Sequence, residues 1–112
     1  YSGRMPAWLA PVQTVVASIT DSANDYARDV AARAAAAGLR VETDLRNEKI
    51  SYKVREHSVM KVPFILVVGG REAEAGTVAL RRLGSNNQQV LDANETILML
   101  RDESLAPDMQ SR

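Results

Sequence analysis

Pro63-Phe64-Ile65-Leu66-Val67-Val68-Gly69-Gly70 is the stretch that decides how this chain folds. From Pro63 to Val68 no polar residue interrupts the run, whereas a strand with one face in water would alternate apolar with polar. An unbroken apolar run of this length, stopped by two glycines, reads as a central strand buried on both faces. Both faces can be covered only if helices lie on each side, which predicts a three-layer α/β domain. Gly69-Gly70 itself reads as a turn of two glycines with positive φ. An anion there is conceivable, but the chain has neither the spacing of a dinucleotide fingerprint nor a nucleotide-binding loop ending in Lys-Ser/Thr.

The flanks supply the other layers. Upstream, Val12 to Ile19 is β-branched or apolar and predicts a first strand; Thr20, Asp21 and Ser22 follow as helix-start signals. Ala23, Tyr26, Ala27, Val30, Ala31 and Ala34 recur at three and four residues, which predicts an amphipathic helix closed by Gly38. Leu39 to Thr43 reads as a second strand and Asp44 to Asn47 as a polar turn. A second helix is expected from Glu48 to Val59, where Ile50 and Val54 share a face and Pro63 forbids continuation. Downstream, a short helical turn at Arg71 to Ala75 precedes a strand at Thr77 to Arg81, with Val78 and Leu80 on one face and Ala79 and Arg81 on the other. Ser85 to Gln89 reads as a polar loop and Val90 to Leu100 as the last helix. The expectation is an α/β fold with a mixed, mainly parallel sheet of about five strands flanked by helices, the early strands parallel because helical crossovers join them.

At 112 residues the chain has room for one core. Residues 1–10, punctuated by Gly3 and Pro6 and anchored by Trp8, read as a linker; 11–103 form the domain and 104–112 a flexible tail. The absence of an initiator Met at Tyr1 is read as the mark of a piece cut from something larger. With 14 basic and 14 acidic residues, no overall field recruits a polyanion, so any such contact must be local. Cys is 0, which excludes disulfides and thiolate metal sites and fits a cytoplasmic address. No apolar run is long enough to span a bilayer, and no secretory signal opens the chain, so no membrane partner is expected.

Candidates for chemistry are few. His57 is the sole histidine and, without cysteines, organises no zinc site; it reads as a satisfied imidazole. Glu72 and Glu74 stand on a solvated turn with nothing to raise either pKa, so no acid/base pair is expected. The stretch from Arg46 to Lys61 is locally basic, with Arg46, Lys49, Lys53, Arg55 and Lys61 outnumbering Glu48 and Glu56. Such a helix beside a sheet edge, with Arg81 projecting from a neighbouring strand, can hold a phosphate backbone; an ordinary solvated helix face has at least equal claim on composition alone.

The run Asp44-Leu45-Arg46-Asn47-Glu48-Lys49-Ile50, continuing through Tyr52-Lys53-Val54-Arg55-Glu56-His57, resembles the anticodon-binding domain shared by the class II aminoacyl-tRNA synthetases for histidine, glycine, threonine and proline, the threonyl enzyme above all. Trp8 to Gln13, Val62-Pro63-Phe64, Glu72 to Gly76 and Val78 to Arg81 extend the match in order, so that it covers residues 7 to 82. The resemblance implies a mixed sheet that binds the anticodon loop of a threonine-accepting tRNA. It also implies a catalytic domain elsewhere that joins threonine to the tRNA with zinc, ATP and magnesium, none of them held by this segment. It places Asn47, Glu72 and Arg81 at base-reading positions, with Lys49 and Arg55 in support and Arg46, Lys53 and Lys61 along the RNA backbone. For Asn47 the other reading is a helix N-cap, for Glu72 a surface turn and for Arg81 an exposed strand residue. If bases stack on a ring, Tyr52 and Phe64 are the candidates, Phe64 being expected in the core. The segment is expected to be monomeric and its parent a homodimer; the alternative function is an accessory or dimerisation module of the same fold without RNA binding.

Overall fold

The computed structural model describes residues 12–46, 48–83 and 88–103. The expected linker, the expected tail, Trp8, Asn47 and most of the predicted 85–89 loop lie outside them. Five strands form one sheet: β1 (Thr14–Ser18), β2 (Val41–Asp44), β3 (Phe64–Val68), β4 (Thr77–Arg82) and β5 (Gln88–Asp92), in the order β2-β1-β3-β4-β5. β1 pairs in parallel with β2 and β3; β4 is antiparallel to both β3 and β5, so four of the five strands run the same way. A single turn of 3-10 helix at Asp21–Ala23 leads into α1 (Asn24–Ala36); α2 (Ile50–Val59), α3 (Gly70–Ala75) and α4 (Ala93–Glu103) follow.

The alternation along the strands sorts the side chains into two cores. Val16, Leu66, Val68, Val78 and Leu80 point to one face and are buried beneath Ala27, Val30 and Ala34 of α1 and Ile97 and Leu100 of α4. Val15, Ile65, Val67 and Ala79 point to the other, where Ile50 and Val54 of α2 cover them. β3 is buried throughout, as its unbroken apolar run requires. Tyr26 ties α1 to β4 by donating to the Thr77 carbonyl at 2.8 Å.

Two expectations are corrected here. Gln88–Asp92 is a strand, and the last helix starts at Ala93 rather than Val90. The boundary is set by Asp92, whose Oδ2 accepts from the Glu95 N–H at 3.1 Å as an N-cap, while the residues before it complete the ladder with β4. Nor do Gly69 and Gly70 take positive φ; among the described glycines Gly38 and Gly76 do, closing α1 and α3. Gly69 is closely packed instead: a Cβ there would lie 3.0 Å from Ile19 Cδ1 and 3.2 Å from Glu72 Oε1, so that those side-chain ends would have to shift by a few tenths of an ångström.

Candidate functional site

The chain geometry leaves one part of the sheet open. α2 crosses β1 and β3, but β4 and β5 form a hairpin and α4 returns to the opposite face, so on the α2 side Arg81, Gln88 and Val90 have no helix above them among the described residues. Between the flank of α2 and this uncovered surface lies a groove of about 450 Å³. Its floor is apolar, from Ile19, Val54 and Val67, and its polar lining comes from Ser51, Arg55 and Ser58 of α2 facing Arg81 and Gln88 of the hairpin.

The helical period explains which side chains of α2 arrive there. Ile50 and Val54, four apart, face the core; Ser51, Arg55 and Ser58 form the adjacent stripe and face the groove. On the other flank, Lys53 and His57 turn toward the end of β2, and Tyr52 and Glu56 toward Arg46.

That far flank is a closed network. Asp44, 4% exposed, accepts from Arg46 through Nε at 2.9 Å and through a terminal guanidinium nitrogen at 2.7 Å, and faces His57 Nε2 at 2.8 Å. A carboxylate only accepts, so Nε2 carries the hydrogen. Arg46 above all, and His57 after it, hold the Asp44 carboxyl well below the usual carboxylate range. Arg46 also binds Glu56, whose pKa it lowers, and lies over the Tyr52 ring at 5.8 Å. Asp44, Glu56 and His57 are close enough together to suggest a metal site. The Arg46 guanidinium already fills the position a cation would take, and it compensates both carboxylates.

The residues expected at the RNA surface therefore divide. Arg55 and Arg81 meet across the groove. Glu72 does not line the groove but lies on α3: Oε1 accepts from the Gly69 N–H at 2.8 Å, one half of a capping box since glycine has no side chain to return the bond, and the same turn packs on Ile19. The second carboxylate oxygen keeps its acceptor capacity. Lys49 is exposed at the start of α2. Asn47 lies outside the described residues, and the first helical residue, Ile50, puts the cap position at Lys49, not at Asn47.

Two expectations are corrected. Lys53 is 1% exposed, and its ammonium donates to the Ser18 carbonyl at 2.9 Å and the Asp44 carbonyl at 3.1 Å, so it joins the ends of β1 and β2 to α2 and presents no charge to a phosphate. Arg46 is committed to Asp44 and Glu56. Lys61 is exposed just past the C-terminal end of α2, where its φ of 64° closes the helix, three residues beyond Ser58 of the groove lining. Phe64 is in the core beneath Arg82, at 5.5 Å, and Tyr52 is half covered by Arg46.

The electrostatic character of the groove follows from which arginines are paired. Arg28, Arg33, Arg46, Arg82 and Arg101 each hold a carboxylate. Arg55 and Arg81 have no carboxylate partner among the described residues. A nearly neutral chain thus places two uncompensated guanidinium groups in its groove; Arg71, exposed on α3 and outside the groove, is likewise without a carboxylate partner among the described residues. Gln88, which sequence reading left in a loop, is the polar residue it missed. The signal was available, since turn-forming residues at 84–87 separate two stretches able to pair as a hairpin.

Comparison with known proteins bears on the same region. A family described as "Anticodon binding domain" matches residues 13–103. Proteins named threonine–tRNA ligase are similar over nearly the whole chain: that of Novosphingobium aromaticivorans is 60% identical across 99% of it, and that of Phenylobacterium zucineum 64% identical across 97%. The chain spans only 17% of the length of either ligase. Among solved structures, the RNA binding domain of threonyl-tRNA synthetase from Cryptosporidium parvum superposes with a TM-score of 0.83 at 31% identity, covering 88% of this chain and 25% of that one. Prolyl-tRNA synthetase from the same organism shares the fold, with a TM-score of 0.79 at 24% identity over 90% of this chain and 22% of that one.

Proposed function

This chain belongs to the anticodon binding domain family, and on that premise we propose that it reads the anticodon of a threonine-accepting tRNA as part of a threonine–tRNA ligase. The observation that carries the reading is the pair of uncompensated guanidinium groups, Arg55 and Arg81, facing an open groove with an apolar floor. Bases splayed from an RNA loop need that combination: donors for carbonyl acceptors, cover for their faces, and a positive site near the phosphates. Threonine anticodons end in G and U. The free oxygen of Glu72 suits the N–H groups of a guanine Watson–Crick edge, and Arg81 suits the carbonyl oxygens of either base.

Ligation itself, with its threonine, ATP, zinc and magnesium, is assigned to the remainder of the parent protein, a cytoplasmic homodimer in this reading. Among the described residues no helix is long and apolar enough to cross a membrane.

The test is a titration of the 112-residue chain with an anticodon stem-loop RNA ending in G and U, and with one in which the G is replaced. The expected result is about 5- to 150-fold weaker binding of the second, the cost of one lost base contact of ~1–3 kcal/mol. Equal binding of the two, or none of either, would return the chain to the reading of an accessory or dimerisation module.

A further inference from the structure

The outer face of α2 ends in apolar side chains that no other described element covers. Val59 and Met60, at the C-terminal end of the helix, are 72% and 69% exposed, and Tyr52, two turns earlier on the same face, is 49% exposed. With Arg55 and Glu56 these three line a shallow depression of about 240 Å³, which shares only Arg55 with the groove.

The chain enters the fold beside this patch. Val12, the first described residue, packs on the same core that Ile50 and Val54 of α2 cover, so it lies on the α2 side of the sheet. The Gln13 carbonyl accepts from the Phe64 N–H at 3.1 Å, and Thr14 is in register with Phe64, four residues after Met60. The start of β1 and the end of α2 are thus at one end of one face. The residues that lead to Val12 are Met5-Pro6-Ala7-Trp8-Leu9-Ala10-Pro11, a run without a polar side chain. Its two prolines fix φ and so reduce the conformational entropy that docking has to overcome. Trp8 precedes Val12 by four residues, at most ~14 Å of chain, while α2 from Val54 to Val59 covers only ~8 Å. The tether is long enough to lay the indole on Val59 and Met60.

We propose that Trp8 and Leu9 dock on the Val59–Met60 end of α2 and bind the segment expected as a linker to the outside of that helix. Both partners are apolar, and their contact removes from water a surface that no other described element shields. The segment is thereby tied to the helix that carries Arg55, so the groove is held in a fixed orientation to whatever the segment leads from. A second copy of the chain, meeting the first through the same patch, is the competing occupant.

Trp8 is the only tryptophan in the chain, so its fluorescence reports the contact directly. The 112-residue chain is compared with Val59→Ser/Met60→Ser, altered only at exposed positions, and with a control, Leu98→Ser, on the helix of the opposite face, where Leu98 is 51% exposed. Circular dichroism verifies that each is folded. The unaltered chain and the control are expected to emit at the short wavelengths of a shielded indole and to resist quenching by acrylamide. In the double variant the emission is expected to move to that of an indole in water and quenching to rise severalfold, at every protein concentration. Urea unfolding followed by circular dichroism supplies a second arm. Trp8→Ala and the double variant should each lower the folding equilibrium constant by about tenfold, the order for one half-buried large side chain, and the combined variant should lose little more than either alone. A water-exposed indole in the folded, unaltered chain would overturn the proposal, as would shielded emission that the double variant leaves unchanged. So would shielding that disappears on dilution, the mark of a second copy, or stability losses that simply add.

Discussion

Replacing Asp44 with Asn tests whether the network behind α2 is what holds the last turns of that helix against the end of β2. The carboxylate is buried and accepts three bonds from Arg46, at 2.7, 2.9 and 3.3 Å, and one from His57 at 2.8 Å. Hydrogen bonds to charged groups contribute ~1.5–3 kcal/mol each in isolation. The sum is discounted because Arg46 is about half exposed, is also held by Glu56, and can turn to water when its partner weakens. The amide keeps the shape and one acceptor oxygen. A loss of ~2 kcal/mol at pH 7 is expected. The pH dependence gives a second, independent sign. Because the folded-state pKa of Asp44 is depressed, its contribution is complete above the ordinary Asp value of about 4 and is lost as pH falls from there toward the lower folded-state value. Urea unfolding of both proteins at pH 7, 5 and 3 should show the full gap at the first two and a narrowed gap at the third. A gap that is absent at pH 7, or that persists undiminished at pH 3, would refute the assignment of Asp44 as the ionised centre of the network.

Three further outcomes follow from the same geometry. Lys53→Ala removes a buried stem and leaves the carbonyls of Ser18 and Asp44 without their donor, so thermal or urea unfolding should show a loss of ~3 kcal/mol or more; the salt dependence of RNA binding by the folded fraction should keep its slope, and a flattened slope would restore Lys53 to the RNA surface. Lys61→Gly should raise stability by ~0.5–1 kcal/mol, since Lys61 holds a φ of 64° at the end of α2 while its N–H and that of Val62 close the helix on Ser58 and His57; a lower unfolding midpoint in urea would show that the lysine side chain matters more than the strain. Arg81→Ala should reduce discrimination between RNAs with and without the cognate G and U by ~1–3 kcal/mol, whereas equal weakening on every RNA would identify a phosphate contact.

Much of the fold was legible because its signals are local. The apolar run of β3, the spacing of α1 and the glycine that closes it each depend on a dozen residues or fewer, and each appears where it was expected. β5 was not legible in that way. Gln88 and Gln89 are poor strand formers taken alone, and Val90, Leu91 and Ile97 continue into a spacing compatible with a helix. The ladder with β4 and the Asp92 cap override the local preference, and neither is visible until the two strands are side by side. The glycines after β3 failed for a related reason: what crowds a side chain at Gly69 is Ile19, fifty residues earlier in the chain, together with Glu72.

The candidate site shows the same limit more sharply, since a list of basic residues does not say which of them are compensated. Arg46, Lys53 and Arg55 are nearly interchangeable as read from the sequence, yet they end in three different environments. Two geometric facts separate them. Arg46 leaves β2 directly beside Asp44, and the turn of α2 brings Glu56 back to it, so its charge is met from both sides. Arg55 follows Lys53 by two positions and precedes Glu56 by one, and at 100° per residue those steps carry Lys53 inward, Glu56 to the far flank and Arg55 to the groove. The groove is open because the chain crosses from β4 to β5 by a hairpin instead of a helix. The open groove of this domain is thus the product of one missing crossover and one helical period, and shifting Arg55 by a single position along α2 would turn it toward the core where Val54 now lies or onto the far flank where Glu56 now lies.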